Sequence, residues 1–362
     1  MPPLGVQPVS WLVVALALLS AYRLASAQQE DSNLCSCTDL LWKPEPSHAW
    51  EVVNWHSKLV AELNAAEAKG GFDVLFYGDS ITMRWRDDWP ANEWGVGPPP
   101  ANFPGGTPMG IFNQTFRTNF TSDILGIGSD TTANLWWRVK NGELPVMTPP
   151  KLAVVMVGTN DLGYTEACFR NGDEVTEAAN GTISRMRHIF AYMRRNAPRM
   201  QILIVGILPR GAWSLPDPFA WPNRLTEAIN TVNNASQALP KEDPMIHYID
   251  CGPDFINAAN HSLNATLLPE YLHPSTAGYR VLADCLKPVV DNLVLGPQPR
   301  WNVTAPLMDV RDNYTNTCAD YKGAQYTTMS ASVSPKLIPK PATQSTSSNS
   351  LYSSLDTTTG DR

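Results

Sequence analysis

The segment Asp73–Thr82, with the sequence DVLFYGDSIT, decides both the fold class and the chemistry that the chain predicts. Residues 73–77 have the composition of a buried β-strand, and Gly78 and Asp79 end it. Ser80 then lies at a turn from a strand to a helix. A serine at such a turn is exposed at the edge of a sheet, where the helix N-terminus favours developing negative charge. Because Asp and Ser are also common helix caps, the segment predicts either a nucleophilic serine or a simple cap.

Apolar runs of strand length alternate with helical periodicity on both sides of this segment. Continuous apolar strands between helices are typical of a parallel sheet covered on both faces, which is a doubly wound α/β fold. Such sheets place their active sites outside the carboxyl ends of the strands. The further predicted strands are Ile124–Ile127, Leu152–Val157, Ile202–Leu208 and Met245–Ile249. The predicted helices are Trp50–Ala68, Thr132–Lys140, Thr176–Asn196, Arg224–Ala238 and Thr276–Leu293.

The composition favours a folded, secreted protein. The 362 residues are 43% apolar and 17% charged, with a formal net charge of −7 and no basic run. This charge argues against nucleic acid or an anionic membrane surface as the main partner. Trp11–Tyr22 has the length of a signal-peptide core, too short to span a bilayer, and Ala25-Ser26-Ala27 offers a cleavage pattern. We therefore expect a secreted or extracellular chain, in a cell wall or matrix for example, without a stable membrane anchor; an uncleaved N-terminal anchor is the alternative.

Changes in composition predict how the chain is organised. Trp85–Asn119 is rich in Pro, Gly, Asn and Trp, which predicts a long surface insertion. Beyond Pro297 the periodicity fades, and from Thr327 the chain is rich in Ser, Thr, Pro and Lys, which predicts disorder. The predicted segments are a signal peptide at 1–27, a lead-in segment at 28–49, an α/β domain at 50–296 with its insertion at 85–119, a C-terminal extension at 297–326 and a disordered Ser/Thr-rich tail at 327–362.

Cysteines and glycosylation sequons agree with a secretory route. An even number of cysteines follows the predicted signal peptide, which predicts disulfides but leaves their pairing open. A zinc site is the alternative, although the Cys35-x-Cys37 spacing does not match one. The cysteines are Cys35, Cys37, Cys168, Cys251, Cys285 and Cys318, and the Asn-x-Ser/Thr sequons begin at Asn113, Asn119, Asn180, Asn234, Asn260, Asn264, Asn302 and Asn313.

Three more polar segments follow predicted strands or precede the last predicted helix. Gly126–Thr132 predicts a tight turn that presents a backbone N–H, because the third glycine of a nucleotide-binding fingerprint is missing. Val157–Asp161 contains Asn160, whose amide either closes a turn or donates to an oxyanion. Glu270–Tyr279 contains His273, with a carboxylate three residues before it. A lone histidine is commonly structural, but a carboxylate beside an imidazole can fix the tautomer that accepts a proton from serine.

Together and in this order, the four segments resemble the SGNH or GDSL hydrolase family, whose sequence blocks centre on Ser, Gly, Asn and His. The closest likeness is to the catalytic subunits of the platelet-activating-factor acetylhydrolase group, over roughly residues 50–295. The resemblance implies the SGNH hydrolase fold, a three-layer α/β/α sandwich with a mostly parallel, flavodoxin-like doubly wound sheet. The similar runs are Asp73–Ser80, Gly126–Thr132, Trp137–Leu144 and Ile207–Gly211.

The resemblance implies a role for each matching residue. Ser80 attacks the acyl carbon, His273 takes its proton and later returns it to the leaving alcohol, and Glu270 orients the imidazole. The backbone N–H groups of Ser80 and Ser129 and the side chain of Asn160 form the oxyanion hole. No metal motif and no phosphate loop stands out in the sequence, so we expect no metal and no cofactor.

Two positions depart from the family pattern. Ser129 stands where the family usually has Gly, and its N–H remains a usable donor only if the local backbone tolerates a Cβ. Glu270 stands where the family usually has Asp, so its longer side chain must fold back to reach the imidazole. Asp254 or a backbone carbonyl is the alternative partner for His273.

These features predict a secreted serine esterase that hydrolyses small acyl esters, with acetyl as the expected acyl group. Acetylated carbohydrate and acetylated phospholipid are the two expected substrate classes, and secretion favours carbohydrate. Two other functions stay open. An acyltransferase would use the same residues with an added acceptor site, and a non-catalytic glycan-binding or cell-wall protein would keep the fold without the activity. The sequence does not determine the acyl chain length, the alcohol or the oligomeric state.

Overall fold

The computed structural model describes most of the predicted α/β domain, and all described residues belong to the unit formed by residues 1–316. The predicted signal peptide, lead-in segment and tail lie outside the described residues, and so do residues 90–105 of the predicted insertion and residues 298–326 of the predicted C-terminal extension. Those predictions therefore stay predictions. Within the described ranges, no helix is both long and apolar enough to cross a membrane. The described ranges are 50–89, 106–168, 172–211 and 215–297.

A five-stranded parallel sheet forms the centre of the fold. All five predicted strands are present, with ends shifted by a few residues. The strands are β1 (Val74–Gly78), β2 (Ser122–Gly126), β3 (Leu152–Met156), β4 (Gln201–Val205) and β5 (Ile246–Ile249). Their order across the sheet is β2-β1-β3-β4-β5, which is the flavodoxin-like doubly wound arrangement. The predicted fold class is therefore confirmed, and the winding direction reverses beside β1, the strand that precedes Ser80.

Helices cover both faces of this sheet. The α-helices of the described ranges are α1 (Trp50–Glu67), α2 (Ser80–Met83), α3 (Pro108–Phe116), α4 (Thr132–Arg138), α5 (Thr159–Cys168), α6 (Gly172–Asn196), α7 (Thr226–Ala238) and α8 (Thr276–Leu295). Buried side chains of α1, α4, α6 and α7 share one core layer with the sheet. Those of α3 and α8 form the core layer on the opposite face.

The strand β1 shows how one run of apolar residues supplies both core layers. Leu75 and Tyr77 pack in the layer with α1, α4, α6 and α7, whereas Val74 and Phe76 pack in the layer with α3 and α8. Successive side chains of a strand point to opposite faces, so a strand covered on both sides must be apolar throughout. Burying each of these large side chains stabilises the fold by about 1.5–3 kcal/mol.

Residues 108–116, which the sequence analysis places in a surface insertion, belong to the core instead. They form α3, which begins at the Thr107 cap, whose hydroxyl accepts a hydrogen bond from the N–H of Gly110 at 3.1 Å. Trp85, from the same predicted insertion, packs against this helix. The prediction was wrong here because the Pro- and Gly-rich composition of the neighbourhood hid a Thr-Pro helix start followed by an apolar face. The large buried side chains of α3 are Ile111, Phe112 and Phe116.

A disulfide joins Cys251, just after β5, to Cys285 in α8. The pairing was open at the level of sequence. The two cysteines are 34 positions apart, and both Glu270 and His273 lie in the loop that they close. In the chain-entropy account, closing a loop of this length restricts the unfolded chain and stabilises the folded one by about 3–4 kcal/mol. The bridge therefore ties the end of β5 to the last helix and closes the loop that carries the predicted histidine.

Candidate active site

Ser80 is the first residue of α2, the short helix that follows β1. Asp79 caps this helix, because its Oδ1 accepts a hydrogen bond from the N–H of Ile81 at 2.9 Å. The N–H of Ser80 is at the first helical position, where no carbonyl of the same helix can accept it, and the helix end carries partial positive charge. The sequence predicted either a nucleophilic serine or a simple helix cap for this segment. Asp79 is the cap, so the hydroxyl of Ser80 is free to contact another residue.

The carboxyl group of Asp79 is buried, with 1% of the residue exposed. Burial raises the pKa of Asp79 to about 7, although the hydrogen bond from the N–H of Ile81 favours the ionised form. This raised pKa favours the uncharged form of the Asp79 carboxyl. An uncharged Asp79 repels a negative charge that develops on a substrate oxygen beside Ser80 less than an ionised Asp79 would.

Two glycines fix the position of the helix that begins at Ser80. A Cβ on Gly126, at the end of β2, would lie 2.1 Å from the backbone nitrogen of Met83 in α2. A Cβ on Gly78, at the end of β1, would lie 2.2 Å from Oγ1 of Thr82 in α2 and 2.3 Å from the carbonyl oxygen of Met156 in β3. Only residues without a side chain allow backbone segments to approach this closely. The helix α2 therefore packs directly on the end of β2.

His273 reaches Ser80 from a loop 193 residues further along the chain. Its Nε2 lies 2.9 Å from the Oγ of Ser80. The loop leads into α8, which Ser275 caps by accepting a backbone hydrogen bond at 3.1 Å. The hydroxyl of Tyr279 in α8 donates to the carbonyl oxygen of Ile81 in α2 at 2.7 Å. The helices that flank the serine and the histidine are thus in direct contact.

Glu270 is the carboxylate that contacts His273. Its Oε1 lies 2.7 Å from Nδ1 of His273, so Nδ1 carries the hydrogen and Nε2 is left to accept one from Ser80. Burial opposes ionisation of Glu270, but the hydrogen bond from His273 and the positive charge of Arg84 outweigh it and lower the pKa to about 2. The contact belongs to Glu270 and not to Asp254, the alternative that the sequence left open.

The electrostatic surroundings keep His273 neutral at neutral pH. Burial lowers the pKa of His273 below its ordinary value of 6.5. The carboxylate of Glu270 raises this pKa, and the positive charges of Arg84 and Arg210 lower it again. Since the net direction is down, the imidazole is unprotonated near pH 7 and is able to accept a proton.

Ser129 and Asn160 follow the two strands on either side of β1. Ser129 lies just after β2, and Asn160 lies in the first turn of α5, just after β3. The Nδ2 of Asn160 donates to the carbonyl oxygen of Asp130 at 2.9 Å, which holds this amide beside the Ser129 segment. Ser129 has a φ of 65°, in the left-handed region that favours glycine, so the backbone here accommodates the Cβ at some cost in strain. All the sequence-predicted site residues therefore lie at the carboxyl edge of the sheet.

A buried cluster of polar side chains joins the segments of Ser129 and Asn160. Asp161 accepts hydrogen bonds from the backbone N–H of Thr132 at 2.9 Å and from its hydroxyl at 2.5 Å. Arg185 in α6 donates to Asp161 at 2.8 Å and to the Thr132 hydroxyl at 2.7 Å. Each of these three side chains belongs to a residue at most 2% exposed. Charge-assisted hydrogen bonds among these buried groups make a rigid link between the two segments.

Arg138 in α4 is a second buried cation at this edge. Its guanidinium donates to the carbonyl oxygens of Gly78 at 2.8 Å and Leu125 at 3.1 Å, and to the carboxylate of Asp130 at 2.6 Å. It also pairs with Glu143. Burial alone would lower the pKa of Arg138, but the carboxylates of Glu143 and Asp130 outweigh it and raise the pKa. The side chain is therefore a permanent cation that joins the ends of β1 and β2.

Comparison with known proteins agrees with this geometry. The model of the GDSL-like Lipase/Acylhydrolase family matches residues 76–281 of the 362. The chain belongs to the GDSL-like lipase/acylhydrolase family. It is therefore an ester hydrolase, and the matched residues include both Ser80 and His273.

Similar proteins cover about two thirds of the chain. The platelet-activating factor acetylhydrolase IB subunit alpha1 of Homo sapiens is 30% identical over 260 residues, which are 70% of this chain and 87% of the relative. The same subunit of Bos taurus is 29% identical over 257 residues, covering 69% and 87%. A solved structure of a GDSL-like lipase from Bacteroides thetaiotaomicron is 19% identical, with a TM-score of 0.42, and covers 66% of this chain and 97% of that one.

The GDSL-type site has supporting residues that the sequence analysis missed, namely Arg138, Asp161 and Arg185. A signal for them exists in the helical periodicity. Arg185 directly precedes Met186 and lies one turn before Ile189, both buried, so a charge falls on an apolar helix face. A charged side chain in that position must find a partner, which is a reason to look for a buried ion pair.

Gly126→Ala should displace α2, and Ser80 with it, because the new Cβ would overlap the backbone of Met83. We expect the free energy of unfolding of the variant to fall by about 1–3 kcal/mol, and we expect the variant to lose most of its esterase activity. Thermal unfolding and hydrolysis of p-nitrophenyl acetate measure the two effects. Gly110→Ala is the control, because its Cβ would meet nothing closer than the Thr107 hydroxyl at 3.4 Å. If the two variants behave alike, the close packing of α2 on β2 does not position the serine.

Proposed function

We propose that this family member hydrolyses small acyl esters, with acetyl as the acyl group, by a two-step mechanism in which Ser80 is the nucleophile. One observation carries the proposal: Ser80 Oγ lies 2.9 Å from His273 Nε2, and His273 Nδ1 lies 2.7 Å from Glu270 Oε1. A hydroxyl, an imidazole and a carboxylate in this order, at hydrogen-bond distance, activate serine for attack on a carbonyl carbon.

In the first step, the Ser80 oxygen bonds to the acyl carbon while its proton passes to Nε2 of His273. The carbonyl electron pair moves onto oxygen and gives a tetrahedral oxyanion. The N–H groups of Ser80 and Ser129 and the amide of Asn160 donate to this oxyanion. When the intermediate collapses, the bond to the alcohol oxygen breaks and His273 gives its proton to that oxygen. The products are free alcohol and an acyl ester of Ser80.

In the second step, water replaces the alcohol. His273 takes a proton from the water as its oxygen attacks the acyl carbon, and then returns the proton to Ser80 as the carboxylic acid leaves. Glu270 holds the imidazole and stabilises its cationic form in both steps. Removing one donor from an oxyanion hole typically reduces the rate on the order of 10²–10³-fold.

Labelling with a fluorophosphonate probe tests the nucleophile. We expect covalent modification of the wild-type protein at Ser80, none in Ser80→Ala, and slow modification in His273→Ala. Hydrolysis of p-nitrophenyl acetate should fall by about 10⁴-fold or more in either variant, because the two side chains act as a unit. His261→Asn is the matched control, since His261 is exposed and lies outside the site. A folded wild-type protein that is neither labelled nor active would refute the proposal.

Two observations support the choice of substrate. Acetyl is proposed as the acyl group because the curated relatives are named acetylhydrolases. Carbohydrate is proposed as the alcohol because of a groove of about 380 Å³ just beyond β4 and β5. The half-buried Trp221 and the polar Asn230 and Asp250 line this groove, and none of its described lining residues is Lys or Arg. A sugar ring offers an apolar face to an indole and hydroxyls to amide and carboxylate groups, whereas a phospholipid phosphate favours a basic side chain.

The groove is connected to the proposed oxyanion hole through one short segment. Pro209 lines the groove, and the next residue, Arg210, donates to the carbonyl oxygen of Thr159 at 3.0 Å. Thr159 directly precedes Asn160. The segment Pro209-Arg210 thus links the groove to the residue that precedes Asn160.

A panel of esters tests the substrate class. Among p-nitrophenyl esters we expect kcat/KM to be highest for acetate, and we expect acetylated xylan to be a better substrate than an acetylated lysophospholipid. Asn230→Ala should reduce activity on acetylated xylan about 10-fold, the loss of one hydrogen bond, and leave p-nitrophenyl acetate unchanged. Gln237→Ala, exposed on the same helix and outside the groove, is the control.

Each outcome of this panel has a distinct meaning. Preference for the phospholipid would refute the carbohydrate assignment and leave the esterase mechanism intact. Product analysis in the presence of a free sugar separates the two reaction types. Acetate alone is the product of hydrolysis, and a newly acetylated sugar is the product of acyl transfer.

We further propose that the mature protein is secreted after removal of residues 1–27 and carries N-linked glycans. The Cys251–Cys285 bridge supports an oxidising compartment, where disulfides persist. Mass spectrometry of the protein recovered from the medium of its native cells should find an N-terminus at Gln28. An intact N-terminus at Met1, without glycans, would contradict the proposal. The sequon asparagines that are exposed in the described ranges are Asn113, Asn119, Asn180, Asn234 and Asn260.

A further inference from the structure

We propose that Arg84 is a positioning residue that holds the Glu270 carboxylate against His273, a role that rests on the serine mechanism proposed above. Arg84 is the C-cap residue of α2, the helix that begins at Ser80. Its Nη1 donates to Oε1 of Glu270 at 2.5 Å, and His273 Nδ1 donates to the same oxygen at 2.7 Å. One carboxylate oxygen is therefore shared by the guanidinium and the imidazole, so that the helix of the nucleophile also holds the partner of the base.

Glu270 needs this support because its own surroundings do not fix it. Its side chain is 52% exposed, whereas that of Arg84 is 20% exposed. An exposed carboxylate with a single flexible partner exchanges readily with water. Arg84 is better anchored, since its backbone belongs to the end of α2 and its guanidinium carbon lies 5.7 Å from the centre of the Trp89 ring. In the described part of the chain, Glu270 is the side chain that accepts a hydrogen bond from Arg84.

The length of glutamate fits this shared contact. The turn between Glu270 and His273 contains Tyr271 with a φ of 53°, a left-handed conformation that sets the direction from which the carboxylate returns. Aspartate at this position would draw the carboxylate back by about 1.5 Å, the length of one C–C bond. With contacts of 2.5 Å and 2.7 Å on one oxygen, such a withdrawal breaks at least one of them. Glutamate at position 270, in place of the aspartate that the family usually has, therefore allows the carboxylate to contact Arg84 and His273 at once.

The charge of Arg84 also balances that of Glu270. The charged groups that act on His273 are Glu270, which raises the pKa of the imidazole, and Arg84 and Arg210, which lower it. A carboxylate alone would favour the imidazolium and so reduce the fraction of free base. With Arg84 present, the carboxylate orients the ring while its effect on protonation is partly cancelled.

Arg84→Met tests the role, because methionine keeps much of the side-chain length and removes the charge and the donors. We expect kcat for p-nitrophenyl acetate to fall roughly 10²-fold, as for a misplaced catalytic group, with KM little changed. The acid limb of the kcat/KM profile should move to higher pH, because loss of the cation raises the pKa of His273. Arg84→Lys should recover part of the activity. Arg280→Met, on the exposed side of α8, is the matched control.

A double-mutant cycle with Glu270→Gln separates positioning from a general structural effect. Glu270→Gln removes the carboxylate, so its acid limb should move to lower pH, opposite to that of Arg84→Met. If Arg84 acts through Glu270, the double variant should have a kcat/KM less than about threefold below that of Glu270→Gln alone. Fully additive losses would overturn the proposal.

The remaining outcomes distinguish this role from the others. An Arg84→Met protein with wild-type kcat and pH profile, still labelled at Ser80 by a fluorophosphonate, overturns the positioning role and leaves the proposed function intact. A rise in KM alone, without a shift of the acid limb, assigns Arg84 to substrate binding and overturns it as well. Absence of labelling in the wild-type protein is instead a failure of the proposed function. Thermal unfolding of each variant confirms that the protein is folded.

Discussion

One buried guanidinium holds together the sheet edge at which the candidate site is assembled. Arg138 binds carbonyl oxygens at the ends of β1 and β2 and the carboxylate of Asp130, so three segments of the chain converge on a single side chain. A cation at this depth is costly unless anions pair with it, and Asp130 and Glu143 are those anions. Removing the guanidinium would leave the buried carboxyl groups of Asp130 and Glu143 without their cation. Arg138 therefore fixes the ends of β1 and β2 and the loop after β2 relative to one another. Because α2 follows β1 directly, this also fixes the position of Ser80.

The candidate site combines a part built on the sheet with a part built on a loop. The serine and the two predicted oxyanion segments follow three adjacent strands, and close backbone packing and buried ion pairs fix them. The histidine and its carboxylate come from the long connection between β5 and α8. A disulfide ties the start of that connection to α8, a helix cap fixes its end, and the hydroxyl of Tyr279 holds α8 against α2. Proton transfer needs both parts to stay within hydrogen-bond distance, so the structure uses separate means to hold each of them.

The fold class and the residues of the candidate site were accessible from the sequence, because apolar runs and the polar residues at strand ends are local signals. Features that depend on distant contacts were not. The core helix α3 was hidden by the composition of its neighbours, and the role of Arg138 depends on partners in two strands. Glu270 was the expected partner of His273, with Asp254 left open, and a local feature decides between them: the left-handed turn at Tyr271, which no propensity assigns to tyrosine. The Cys251–Cys285 pairing likewise required the position of α8 relative to β5.

The order of the elements along the chain has a consequence for biosynthesis. Ser80 is made early, whereas His273 follows 193 residues later, inside the segment that the disulfide closes. A nascent chain emerges with its N-terminus first, so the strands that surround the serine are available before the histidine exists. In the proposed mechanism, an unfinished chain has a hydroxyl with no proton acceptor. In that mechanism, ester cleavage begins only after the last helix has docked, and neither the ribosome-bound chain nor a product that ends before His273 hydrolyses esters.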